Sequence, residues 1–405
     1  MKFKSASLFS ISVVCLTTSL VAQAQQANQY NNEKYSPVSL DNYVSQIDGS
    51  NVNILAKRRI VETVTAQQSP MGTPNINPSL TISHGSSYSS IPYSGYSAPQ
   101  SNTLSLSGTY EGWGKLTARK DYYSAELDRN NVELDALKNS IKMDAAYSFL
   151  DTLRYKLSWN SYQKAITKLK ALKATDPVTN LTKDQFNTAN DLKYYSFTMT
   201  TFLSKGQVGL LEPVADIDKI VPLSFKLKAL MDSAMDNRGD VLAMNQAVKS
   251  SQMALELASK NRNISISPSI WASKTPAYLS SGTSYGATVA AGFSVTIPIP
   301  TNLMFDADIT EASNNLANMQ DYLSDLKARI SAEVNQAFMQ YGYAVDKLNA
   351  AKEDYDAALK NSADNVDSIL NMRDKEGNLI DAKINHAKAL IYLKKVSGDY
   401  QLPKI

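Results

Sequence analysis

The chain has 405 residues, 43% of them apolar and 20% charged, with a formal net charge of +3 that falls to +1 once Lys2 and Lys4 are removed. So balanced a charge excludes an electrostatic footprint for nucleic acid. Cys15 is the only cysteine, and His84 and His386 are the only histidines; disulfides, thiol catalysis, a metal cluster and a His-based triad are therefore excluded from a mature chain, and no metal, cofactor or enzymatic activity is expected.

The first 24 residues read as a signal peptide. Lys2 and Lys4 make a basic start, Leu8 to Val21 is apolar, and Ala22-Gln23-Ala24 is a small-x-small cleavage site. The apolar stretch is shorter than the roughly 20 residues a membrane-spanning helix needs. A lipid anchor on Cys15 is the other reading, but Val14 stands where lipoprotein processing requires a small residue, so cleavage after Ala24 is expected. No later segment reaches the length of an apolar transmembrane helix. An exported chain of this kind enters a membrane as strands or not at all.

Residues 25–204 read as a first structural repeat. It contains a helix over about 51–67, strands at about 78–84 and 102–110, a long helix over about 112–174, a tip at 174–184 and a return helix to about Leu203. No Pro or Gly interrupts from Lys115 to Ala174. At about 1.5 Å per residue, this stretch makes a rod on the order of 90 Å. An equatorial linker, 205–222, leads to a second repeat over 223–405. There a helix at about 237–261 precedes strands at about 266–274 and 287–299, a long helix over about 303–372, a tip at 373–381 and a return helix to about Ser397.

The two repeats are copies. INPSLTIS at 76–83 matches ISPSIWAS at 266–273. Downstream one offset of 189 relates Leu104 to Phe293, Ala118 to Ala307, Leu134 to Leu323, Ile141 to Ile330 and Phe149 to Phe338. A constant offset through helical text marks a tandem duplication.

In the strands, apolar residues alternate with small or polar ones: Leu80 and Ile82 in the first copy, Val289, Phe293, Val295 and Ile297 in the second. This period-two pattern is that of barrel strands with a lipid-facing side. Four strands cannot close a barrel, and open edges are not tolerated in lipid. The chain is therefore expected to pool strands with copies of itself, giving 8, 12 or 16 and a hollow conduit. Tyr88, Tyr93, Tyr96, Tyr278 and Tyr285, with Trp271, are either interfacial aromatics or ordinary surface-loop residues.

The duplicated order, with PSL and PSI at the first strands, FSVTIPIP followed by ADITEASNNL, and NLIDA near the second tip, resembles the TolC family of outer-membrane efflux and type I secretion channels. The resemblance covers about residues 38–398. It implies a mainly α fold with a β-barrel portion: a homotrimer whose 12-stranded barrel sits in outer-membrane lipid above a long α-helical periplasmic tunnel. It also implies docking to a periplasmic adaptor (membrane fusion protein) and an inner-membrane pump.

By the same resemblance, NLIDA places Asp381 on the family's inner pore aspartate, and Asn378 replaces the outer one without its charge. Asp184 and Arg373 are the candidates for a link that holds the tip shut. Asn180, Leu181, Asn378 and Leu379 form the adaptor-docking tips. A plainer reading makes Asp381 a helix-start carboxylate. Lys168, Lys170 and Lys173 near the first tip are either solvated or face an adaptor. The alternative for the whole chain is a non-channel coiled-coil adaptor or stalk.

Overall fold

A computed structural model of the chain describes residues 35–71, 76–86, 89–91, 95–97, 100–110, 113–203, 209–261, 265–279, 282–296, 305–361 and 363–404. The expected signal peptide, Cys15, Tyr88, Tyr93 and Ile297 lie outside these residues. The described residues form two compact units, one from those up to Arg59 with Val132–Leu242 and those from Ser324 onward, the other from those within Ile60–Asn131 and Ala243–Leu323.

The first half of the chain contains β1 (Tyr35–Val38), α1 (Leu40–Ser50), α2 (Val52–Met71), β2 (Ile76–Ser86), β3 (Ser89–Ile91), β4 (Gly95–Ser97), β5 (Gln100–Tyr110), α3 (Lys115–Ala171) and α4 (Thr175–Thr201). The second contains β6 (Leu210–Pro213), a 3-10 turn (Ile217–Lys219), α5 (Leu227–Asn237), α6 (Gly239–Lys260), β7 (Ser265–Leu279), β8 (Gly282–Thr296), α7 (Phe305–Lys360) and α8 (Val366–Val396). The order α1-α2-β2-β5-α3-α4 recurs as α5-α6-β7-β8-α7-α8. Lengths recur too: 11 residues in both α1 and α5, and 57 and 56 in α3 and α7.

The first unit is helical, with one small sheet in which β1 pairs parallel to β6. Tyr43, Leu40 and Ile47 of α1, Phe149, Leu150 and Leu153 of α3, and Leu192 and Met199 of α4 are almost wholly buried. Each such side chain contributes roughly 1.5–3 kcal/mol. Tyr43 ties the three helices together: its ring stacks 6.2 Å from that of Phe149, and its hydroxyl donates to the Met199 carbonyl at 2.7 Å. At the α5–α6 junction a Cβ on Gly239 would meet Ala136 Cβ at 2.7 Å, so only glycine allows this approach.

The second unit holds a four-stranded antiparallel sheet in the order β2-β5-β7-β8, and a short β3–β4 hairpin. Within this unit α3 and α6 are joined by Ser250, whose hydroxyl donates to Glu126, and by a Lys249–Asp128 ion pair at 3.4 Å.

The turns between long and return helices do not lie where the sequence puts them. The first is confined to residues 172–174, so the expected tip at 174–184 is already α4. Lys173 adopts φ +54, Ala174 N–H donates to the Leu169 carbonyl, and Lys173 N–H to that of Lys170. This is the Schellman end of a helix, made without glycine. The second turn lies at 361–365, and the expected tip at 373–381 is the interior of α8. Gly377-Asn378 imitates a turn signal, but the helix runs through it at about 1 kcal/mol for the glycine, because Leu379 and Ile380 on the next positions are buried. The true start is Asn365, whose side chain accepts from Ser368 N–H at 2.8 Å, while Ser368 Oγ accepts from Ala363 N–H at 3.0 Å.

In the first unit α7, α8 and the 3-10 turn enclose His386. Its ring lies 5.6 Å from that of Tyr341, whose hydroxyl donates to the Leu223 carbonyl and accepts from Leu223 N–H at 3.1 and 2.7 Å. His386 is 1% exposed, and its Nε2 has no hydrogen-bond partner. The ionisable groups around the adjoining cavity are Lys352, Tyr355 and Asp356 of α7, Lys383 of α8 and Asp218 of the 3-10 turn, the last two paired at 2.5 Å. Burial holds the His386 pKa below its ordinary 6.5, since an imidazolium here would be a desolvated charge.

Two outcomes follow from these local structures. Lys173→Gly relieves the left-handed strain, and its denaturation midpoint is expected to rise by the equivalent of about 1 kcal/mol. The depressed His386 pKa means that the unfolded chain binds more protons below about pH 6.5, so stability is lost as pH falls through that range. Denaturant titrations from pH 7.5 to 5.5 are expected to show this decline in the wild type and a flatter profile in His386→Leu.

Candidate functional site

The sheet has two chemically opposite faces, and strand register lines each face up in rows. On one face Leu80 pairs with Leu106, Leu106 with Ile270 and Ile270 with Ala291. The next row is Ile82, Leu104, Ala272 and Val289. Toward the helix-joined ends follow Pro78 with Gly108 and Pro268 with Phe293, then Tyr110, Ile266 and Val295. These four rows span about 20 Å along the strands at about 3.4 Å per residue.

On the other face the rows are Ser79, Ser107, Ser269 and Gly292, then Thr81, Ser105, Trp271 and Ala290, with Ser83, Thr103 and Ser273 beyond. Hydroxyls bond across strands, Ser79 with Ser107 at 2.9 Å and Thr109 with Ser267 at 3.2 Å. No described residue of this face carries a charge.

The apolar face is the exposed one: Leu80 is 65% exposed, Ile82 78%, and Val289 and Phe293 76% each. Val295 is half-exposed on the same side. Left in water, each such side chain forgoes roughly 1.5–3 kcal/mol. Trp271 lies on the hydroxyl face over Gly292, not at the edge of the apolar band as the interfacial-aromatic reading has it. Among the described residues β2 and β8 each pair on one side only, so the sheet ends in two open edges.

In the other unit, α3 and α8 run antiparallel and are linked by polar rungs. Lys395 Nζ meets Asp144 at 2.7 Å, Lys388 pairs with Asp151, and Arg154 with Asp381; Glu376 accepts from Ser161 at 2.6 Å and from Lys164 at 3.3 Å. Polarity switches along the pair. α3 offers acids at 144 and 151 but bases at 154 and 164, and α8 complements each. A shifted register would set like charges together, so the ladder specifies alignment. Its contribution to stability is small, because Arg154 and Asp381 are 41% and 40% exposed and such pairs contribute about 0.2–1 kcal/mol.

The tip residues named from sequence separate into distinct roles. Asp381 is not a free carboxylate: Arg154 Nε and Nη2 donate to its two oxygens at 2.6 and 2.9 Å. Arg373 and Asp184 do not bond to each other. Arg373 lies 3.6 Å above the Tyr162 ring centroid and bonds Asp374 at 3.1 Å, while Asp184 is exposed on α4. Both act on Tyr162, whose pKa is raised first by burial and further by Asp184, against the lowering effect of Arg373. Asn180 and Asn378 are exposed.

Leu181 and Leu379 are core residues, not surface tips. Leu181 packs with Ala165, Ile166, Leu169 and Ile369, and Leu379 with Leu348 and Ala382. Arg154 does not stand out in the sequence, being one cation among many on a helix; only the charge switch after Asp151 points to it. Among the described residues no group of three His, Asp or Glu is placed to hold a metal ion, and no helix is long and apolar enough to cross a membrane.

No family model and no curated protein matches the sequence. Solved structures do match the backbone. The CmeC outer membrane channel of Campylobacter jejuni superimposes with a TM-score of 0.65 at 12% identity, over 90% of this chain and 87% of that one. The chain has the fold of the TolC-like outer-membrane channels. The MtrE outer membrane channel of Neisseria gonorrhoeae, in its open state, gives a TM-score of 0.64 at 16% identity over 90% of both chains. VceC, an outer membrane protein of Vibrio cholerae, gives 0.62 at 12% identity over 89% of this chain and 96% of that one.

Leu379 and Asn378 separate a core from a surface role at neighbouring positions. Leu379→Ala is expected to destabilise by about 2 kcal/mol or more, as for a buried leucine, and Asn378→Ala by no more than about 0.5 kcal/mol. Chemical denaturation of the two variants checks this; equal, negligible effects would return Leu379 to the surface.

Proposed function

We propose that this chain forms a trimeric outer-membrane channel that serves as a passive exit duct for efflux or secretion. The observation that carries this reading is the two-faced sheet. Its apolar rows suit hydrocarbon, its hydroxyl rows suit a water-filled lumen, and its open edges need partners. Three protomers contribute twelve strands, the assembly implied by the resemblance to the family and consistent with the fold shared with outer-membrane channels. In this assembly α3, α4, α7 and α8 line a periplasmic tunnel, and the turns at 172–174 and 361–365 dock to an adaptor that couples the duct to an inner-membrane pump. The duct has no chemistry of its own.

The gate reading of Asp381 takes a specific form. Its charge is countered within the protomer by Arg154, so a ring of three Asp381 side chains attracts cations only where those pairs open. Asn378, one turn away and uncharged, adds nothing to that field.

Single-channel recording with lysine substitutions on the two faces tests the proposal. Leu106→Lys places a charge in the apolar band, at about 2–4 kcal/mol if that band lies in hydrocarbon, and is expected to abolish insertion and conductance. Ser107→Lys, one residue away on the hydroxyl face, is expected to insert and shift selectivity toward anions. A coiled-coil adaptor or stalk would give no conductance in the wild type and no difference between the faces.

A further inference from the structure

Among the described residues of the hydroxyl face, Trp271 is the one aromatic side chain. Its chain neighbours Ile270 and Ala272 belong to two adjoining rows of the apolar face. The indole therefore stands at a depth within the apolar band, on the opposite side of the sheet. Its cross-strand partner Ala290 and the diagonal Gly292 are small, and the six-membered ring reaches so far over β8 that a Cβ on Gly292 would lie 3.1 Å from it. The ring thus lies along the sheet and does not stand away from it. At 36% exposure it is not packed into a core. Hydroxyls beside it are already engaged: Ser107 Oγ bonds with Ser79 Oγ at 2.9 Å, and Ser269 Oγ donates to the Gly292 carbonyl at 3.4 Å.

We infer that Trp271 is a stacking site in the channel lumen for planar aromatic rings carried by the cargo. The inference rests on the channel reading, which turns the hydroxyl face toward water and brings one indole from each of three protomers to the same level. An indole in contact with water offers its π-system to any flat ring, whatever the substituents on that ring. Stacking also removes apolar area that a passing solute otherwise leaves in water. Hydrogen bonding is the weaker means of recognition here, because Ser107 and Ser269 are bonded within the sheet. With no charged side chain among the described residues of this face, ion pairing does not sort the cargo at this level. Trp271 thereby slows aromatic solutes at one depth of the exit.

The test uses the full-length protein in planar bilayers, with phenyl β-glucoside and methyl β-glucoside as neutral probes that share one set of sugar hydroxyls. The concentration that halves the single-channel current is read for each probe. In the wild type the phenyl probe is expected to act at a concentration about threefold to tenfold lower, the effect of one aromatic pair. Trp271→Phe is expected to keep this preference. Trp271→Leu, which leaves apolar bulk over Gly292 but no π-system, is expected to lose it. Equal action of the two probes on the wild type would overturn stacking, whether or not any variant folds. An undiminished preference in Trp271→Leu would overturn Trp271 as its source. Conductance of the wild type separates the two readings: channels that conduct without a phenyl preference overturn this site alone, whereas a non-conducting wild type overturns the channel reading itself.

Discussion

A sheet that is apolar on one face and hydroxylated on the other, with an open edge on each side, is stable neither in water nor in hydrocarbon alone. Leu80, Ile82, Val289 and Phe293 need an apolar medium, and the serine and threonine rows opposite need water or each other. The proposed closure into a ring would satisfy both demands and remove the edges. One chain supplies four strands, fewer than any closed membrane barrel contains. This constraint is what the proposed pooling of strands between copies of the chain answers.

The helical unit solves a different problem. Helices as long as α3 and α8 have many near-equivalent alignments, because apolar residues at three- and four-residue spacing fit at each heptad shift. The charge switch between Asp151 and Arg154 on α3, answered by Lys388 and Asp381 on α8, removes that degeneracy. Packing supplies the stability. Tyr43, Phe149 and Met199 join α1, α3 and α4, and Leu181 and Leu169 seal the turn between α3 and α4. Asp381 thus stands in two settings, as a rung in the ladder and as the candidate pore carboxylate, and the first limits what the second can do.

Much of the fold is legible in the residues. The period-two alternation marks the apolar face of the strands, since a pleated strand has only two faces to choose between. The constant offset shows the duplication because corresponding positions face corresponding neighbours. The tips are not legible for an equally physical reason: Gly377-Asn378 and the stretch 174–184 carry turn-forming residue types, but helix continuation is decided by whether the following residues find a core. Leu181 and Leu379 do. The short helices α1 and α5 and the β1–β6 pair are too brief to leave a periodic signal in the sequence.

The sequence by itself determined the two repeats, the two-faced strands and the long uninterrupted helices. All of these depend on spacings within a few residues, where backbone geometry ties position to direction. Only the tertiary structure decided that Arg154 neutralises Asp381 across 227 positions of chain, and that Leu379 is core while Asn378 is surface. These pairings depend on the register between distant segments, which is set by the joint packing and hydrogen bonding of whole helices and strands and leaves no mark at any single position.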